Sequence, residues 1–210
     1  MGSPDGGGNR PRRSLPTSPP ADAVIPRRNP NAPAPGQPIA SHYRWCFGCG
    51  EDHPTGLHLR VIAGEGLTVH GDFLVTEHHQ GAPGLAHGGV LSVAMDEIVG
   101  ALNWLLASPA VTGRIECDFR KPVPVGTYLH LEAEVVGVQG RKVFTRALGR
   151  LGSAEGPVAI QATALFIQVP LKHFLDHGTS EHVQQAIVDR AEGGPAWRPD
   201  GEGTALEVNP

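Results

Sequence analysis

One stretch of helical periodicity sits in the middle of a chain that otherwise reads as strands, and it limits the architecture more than any other feature. From about His87 to Ala107, the residues Val90, Val93, Ala94, Ile98, Ala101, Leu102 and Leu105 recur at helical spacing, and no proline intervenes until Pro109. Leu57–Ile62 and Leu67–Val75 precede it; Val111–Phe119, Tyr128–Val138, Val143–Leu151 and Val158–Val169 follow. Their β-branched content and Gly/Pro boundaries predict strands. Leu129, Leu131, Ala133 and Val135 alternate with His130, Glu132 and Glu134, the pattern of an antiparallel sheet with one face on a core and one in water. Two strands, one long helix and four strands predict an α+β domain with the helix segregated onto one face of the sheet. Beyond Pro170, a short piece at Leu171–Leu175 and a helix around Ser180–Ala191 are expected.

The ends differ in character. Up to about residue 40 the sequence is glycine, proline, arginine and serine, and holds half of the 20 prolines. Such a stretch buries too little to offset its ordering entropy, so residues 1–40 are expected to be a disordered extension. Residues 41–175 are then the folded domain, and 176–210 a short helix and flexible tail. Arg12-Arg13 is followed by Ser14, Leu15 and prolines rather than by an apolar run, which argues against an export signal. No segment reaches the roughly 18 apolar residues of a membrane span. A net charge of -4 offers no basic field for nucleic acid. Three cysteines, Cys46, Cys49 and Cys117, are too few and odd in number for a disulfide scaffold, which fits a reducing, cytoplasmic setting.

On the long helix, Ser92, Asp96 and Asn103 fall on one narrow polar stripe among apolar faces. Wrapped by a sheet, Asp96 would have its carboxyl pKa raised by desolvation, as suits a general base or nucleophile. Glu97, the next residue, points about a quarter-turn away. Gly84, Gly88 and Gly89 put side-chain-free backbone at the helix start, where the first amides lack intrahelical partners and the dipole favours negative charge. A thioester carbonyl becoming an oxyanion can use such a donor, as can any acyl or phosphate oxygen. Trp45-Cys46-Phe47-Gly48-Cys49-Gly50 is similar to one half of a zinc ribbon, with His42 and His53 nearby. The second cysteine pair is missing and Cys117 falls in a core strand, so no metal site is expected.

Gln80-Gly81-Ala82-Pro83-Gly84-Leu85-Ala86-His87-Gly88-Gly89 followed by Asp96, then Phe119-Arg120-Lys121-Pro122-Val123-Pro124-Val125-Gly126, then Gly140-Arg141-Lys142, occur in the order of a known family. The stretch from about Arg44 to Val169 resembles the PaaI-type branch of the hotdog-fold acyl-CoA thioesterases. The resemblance implies a hotdog fold, an antiparallel sheet wrapped around one long helix. It implies hydrolysis of an acyl-CoA, with coenzyme A as part of the substrate and no further cofactor. It also implies a homodimer, or a dimer of dimers, with active sites at the subunit interface. Asp96 carries over as general base or nucleophile, Gly89 as backbone donor to the thioester oxygen, His87 as organiser of the turn, and Thr112 as a hydroxyl near the attacking water. Gln80 and Gly88 are implied near the thioester, and Arg120, Lys121, Arg141 and Lys142 are the cations available for coenzyme A phosphates. Two other functions fit less well: a hotdog hydratase or dehydratase, and a non-catalytic acyl-CoA binding protein.

Overall fold

The structure is a computed structural model that describes residues 15–193. Nine strands run in chain order: β1 Pro38–Ile39, β2 Arg60–Ala63, β3 Thr68–Leu74, β4 Gln80–Ala82, β5 Leu85–Ala86, β6 Ala110–Phe119, β7 Tyr128–Gln139, β8 Lys142–Leu151 and β9 Val158–Gln168. Four helices accompany them: α1 Gly88–Gly100, α2 Leu102–Leu105, α3 Lys172–His177 and α4 Ser180–Gly193. Seven strands form one antiparallel sheet in the order β1-β2-β3-β7-β8-β9-β6, and β4-β5 make a small separate ribbon. Period-two burial holds along β3 and β7, where Phe73, Leu129 and Leu131 turn to the core while Asp72, His130 and Glu132 face away. Gly140, at φ +55°, opens the two-residue turn between β7 and β8, a conformation that hairpins take from glycine.

The sheet curls around α1. Leu91, Ala94, Met95 and Ile98 repeat at three- and four-residue steps, and all are buried against it. The hotdog arrangement expected from the sequence is therefore the observed one.

Two expectations change. The long helix is not continuous to Ala107. Asn103 Nδ2 donates to the Gly100 carbonyl at 3.1 Å, while Trp104 N–H bonds three residues back to Ala101 at 3.1 Å. This tightened turn separates α2 from α1, and Ala107, at φ +48°, ends the segment. Asn103, although beyond this break, still lines the same cavity as Asp96.

The amino-terminal extension is also not disordered in its described part. From Leu15 it runs as a strap. Thr17, 4% exposed, donates to Glu116 of β6 and accepts from Thr163 of β9, at 2.8 and 2.9 Å. Val24 pairs with Val138 of β7, Arg28 donates to the Gly64 carbonyl, and Asn29 N–H bonds to the Leu105 carbonyl. Composition misjudged this segment because it is held by hydrogen bonds to surfaces formed elsewhere in the chain, not by burial of its own large side chains. Among the described residues no helix is long and apolar enough to cross a membrane.

Candidate functional site

α1 starts where the Gly84 turn delivers His87 as its cap. The His87 ring accepts the Gly89 N–H at Nδ1, 2.9 Å away, satisfying one of the orphan amides of the first turn. The expectation of an open Gly89 donor is therefore qualified: an oxyanion there has to take the place of the imidazole. Gly81 lies so close to His87 that a β-carbon would collide with its ring and backbone, so the β4-β5 ribbon fixes the cap from behind. Gln80 belongs to the same scaffold, its Nε2 donating to the Glu77 carbonyl and its Oε1 accepting from Gly84 N–H. Both ends of that amide are used in the turn. Gly88 sits beside the Phe119 ring at the end of β6.

Two turns further along α1, Asp96 accepts a 2.9 Å hydrogen bond at Oδ1 from the hydroxyl of Thr112 on β6. Burial raises the Asp96 pKa; the Thr112 hydroxyl opposes this and the nearby Cys46 sulfur adds to it. The carboxylate and the hydroxyl share the wall of a cleft of about 1150 Å³. Its apolar lining includes Val61, Trp104, Phe166, Phe174 and Ile187, so β2, α2, β9, α3 and α4 all contribute. A polar pair at the mouth of such a chamber is the arrangement of a site that holds an apolar chain and acts on its head. Ser92 takes no part, since its hydroxyl bonds back to the Gly88 carbonyl at 2.9 Å.

The four cations separate into two groups. Arg141 and Lys142 lie at the Thr112 end of the sheet, because Lys142 is opposite Ile167, which pairs with Val111. Arg120 and Lys121 follow Phe119 at the other end of β6, near Gly88. At about 3.3 Å per residue the groups stand on the order of 30 Å apart along the strands. Arg120 has a partner in Asp118 at 3.5 Å, and Arg141 donates to the Gln168 carbonyl.

One residue further along α1, on the wall of the same cleft, lies a group missed by the sequence reading. Glu97, 14% exposed, faces Cys46, Cys49 and His42 of the loop between β1 and β2. Burial, above all, raises the Glu97 pKa to about 7. A hydrogen bond from Cys49 draws Cys46 down to about 3, and the same contact holds Cys49 in its thiol form. The signal available in the sequence was the cysteine pair; the carboxylate that faces it is remote along the chain.

Comparison with known proteins gives consistent results. Residues 83–155 match the family model described as Thioesterase superfamily. A 90-residue segment is 32% identical to "Acyl-coenzyme A thioesterase THEM4" of Xenopus laevis, covering 43% of this chain and 40% of that protein. A 93-residue segment is 27% identical to "Acyl-coenzyme A thioesterase THEM5" of Mus musculus, covering 44% and 37%. The chain thus spans about two fifths of the length of the curated relatives it matches. A crystal structure described as a thioesterase superfamily protein superposes with a TM-score of 0.56 at 25% identity, over 65% of this chain and 69% of that one.

Proposed function

From a chain whose residues 83–155 match the thioesterase superfamily and that folds as a hotdog, we infer a hydrolase that cleaves an acyl-CoA thioester to a free acid and coenzyme A. The observation that carries this reading is the Asp96–Thr112 pair at 2.9 Å on the wall of a large, mainly apolar cleft. Asp96 removes a proton from water as its oxygen attacks the thioester carbonyl. The developing oxyanion is met by the Gly89 N–H once the substrate displaces the His87 ring, the C–S bond breaks, and the departing thiolate recovers the proton from Asp96. Direct attack by Asp96 gives the same products through an anhydride. Single turnover in ¹⁸O water separates the two routes, since only direct attack leaves label in the Asp96 carboxylate. The reaction is a hydrolysis and calls for no redox or organic cofactor.

A second copy of the chain completes this site. Within one chain Gly89 and Asp96 stand about 10 Å apart along the helix, at ~1.5 Å per residue, too far to act on one carbonyl. A homodimer, or a dimer of such dimers, that sets the Gly89 turn of one protomer against Asp96 of its partner removes the difficulty. It also brings together the two groups of cations, so that Gly88, Gln80, Arg120 and Lys121 of one protomer and Arg141 and Lys142 of the other flank one coenzyme A. The acyl group is a fatty or other apolar chain running into the cleft beneath Trp104 and Phe166. Cysteines without a disulfide among the described residues fit a cytoplasmic enzyme, and the apolar cleft fits one of fatty-acid metabolism.

Purified protein assayed on acyl-CoAs of increasing chain length, with free thiol as the readout, tests the reading. Thiol release that Asp96→Asn abolishes is expected. Hydration of an enoyl-CoA without thiol release, or saturable binding without turnover, would replace it by a hydratase or a binding protein.

A further inference from the structure

We propose that His42, Cys46, Cys49 and Glu97 form a closed, four-ligand zinc site that fastens the loop between β1 and β2 to α1. One ligand atom from each lies within 4.8 Å of every other. The neighbouring separations are 3.3 Å from Cys49 Sγ to His42 Nδ1, 3.5 Å from Cys46 Sγ to Glu97 Oε2, and 4.0 Å from His42 Nδ1 to Glu97 Oε1. In a tetrahedron with Zn–S about 2.3 Å and Zn–N or Zn–O about 2.0–2.1 Å, ligand atoms stand roughly 3.3–3.8 Å apart. The first two of these separations fall within that range, the third is slightly longer, and no pair exceeds 4.8 Å.

The surroundings fit a metal. Cys46-Phe47-Gly48-Cys49 has the two-residue cysteine spacing of a zinc knuckle, and Gly48 N–H donates to Cys46 Sγ at 3.3 Å while the Ser41 hydroxyl lies 3.3 Å from Cys49 Sγ. Contacts of this kind orient sulfur ligands from outside the coordination sphere. A β-carbon on Gly48 would overlap the Glu97 carboxylate, so the missing side chain is what admits the fourth ligand. Gly50 is equally constrained, since a β-carbon there would strike the Arg44 carbonyl and the Cys46 backbone. Glu97 is mostly buried, and among the described residues the one ion-pair partner facing it is His42, at 4.0 Å. A carboxylate so placed is costly unless a cation lies among these groups. Two sulfur ligands disfavour magnesium and calcium, which take oxygen, and a set of two thiolates, one imidazole and one carboxylate suits zinc. Four protein ligands leave no open position, so the site is structural, a fixed part of the wall of the cleft that Asp96 also lines.

This revises the expectation of no metal. In place of a second cysteine pair, His42 of the same loop and Glu97 of α1 supply the other two ligands. His53, the other histidine considered, stands edge-on to the Phe47 ring at 5.1 Å and lies outside the cluster.

Elemental analysis of full-length protein, purified under reducing conditions without a metal-chelating resin, is expected to give close to one zinc per chain. Replacement by cobalt is expected to give the visible bands of tetrahedral coordination and thiolate-to-cobalt charge transfer. Titration against a chromophoric zinc chelator is expected to show affinity lowered at least about 10-fold in Cys46→Ser and in Glu97→Gln and unchanged in His53→Ala. Folded wild-type protein that retains no zinc, takes up cobalt without the tetrahedral spectrum, or carries a Cys46–Cys49 disulfide would overturn the proposal, as would tight zinc binding by folded Glu97→Gln. None of these readouts depends on the hydrolase activity.

Discussion

Asp96 and Glu97 are neighbours in the chain, both carboxylates on one buried helix and both on the wall of one cleft, yet they meet different partners. Asp96 meets a single hydroxyl, from Thr112, and opens onto the cleft. Glu97, turned about 100° around the same helix, meets two sulfurs and an imidazole. Burial raises the pKa of both. What separates them is the number of groups converging on each carboxylate. One lightly held acid beside a cavity can exchange a proton with a substrate, whereas one surrounded by three other ligand atoms is suited to holding a cation.

That contrast can be broken in graded ways. Asp96→Asn is expected to lower kcat for thioester hydrolysis by about 10²- to 10⁴-fold, the usual contribution of a general base, while zinc content stays at the wild-type value. Loss of zinc in that variant would mean that the two carboxylates do not work separately. Gly48→Ala, which pushes a methyl group into the Glu97 carboxylate, is expected to lower zinc affinity at least about 10-fold and to lower the melting temperature, both measurable without substrate. Thr112→Val takes away the one hydroxyl on Asp96; a hydrogen bond to a charged group contributes about 1.5–3 kcal/mol, so kcat should fall roughly 10- to 150-fold with little change in KM. The smallest effect belongs to Thr17→Val, on the far side of the sheet. It removes bonds to Glu116 and Thr163 and is expected to cost about 1 kcal/mol in denaturant unfolding, with turnover and zinc content unchanged. It supplies the baseline of plain destabilisation against which the other variants are read.

Much of the sheet was legible because period-two alternation is a local property: β3 and β7 each announce their buried face within a few residues. Asp96 was legible for a similar reason, as a charged residue in an apolar helical repeat. The helix break was not, since it depends on the Asn103 amide competing for the Gly100 carbonyl, a choice that propensity does not register. Glu97 was noticed only as the residue facing elsewhere. Its significance depends on the loop between β1 and β2, and only the folded sheet brings that loop to α1. The same limit explains the strap, whose order is contributed by Glu116, Val138 and Thr163 rather than by its own composition.

The strap also sets an order of events during synthesis. Its hydrogen bond from Thr163 to Thr17 spans 146 residues, and the Val24 bridge waits for Val138. At ~5–20 residues per second, Thr17 is made roughly seven to thirty seconds before its partner exists. The first part of the described chain to be made therefore cannot complete its contacts until β9, the last strand, has been made.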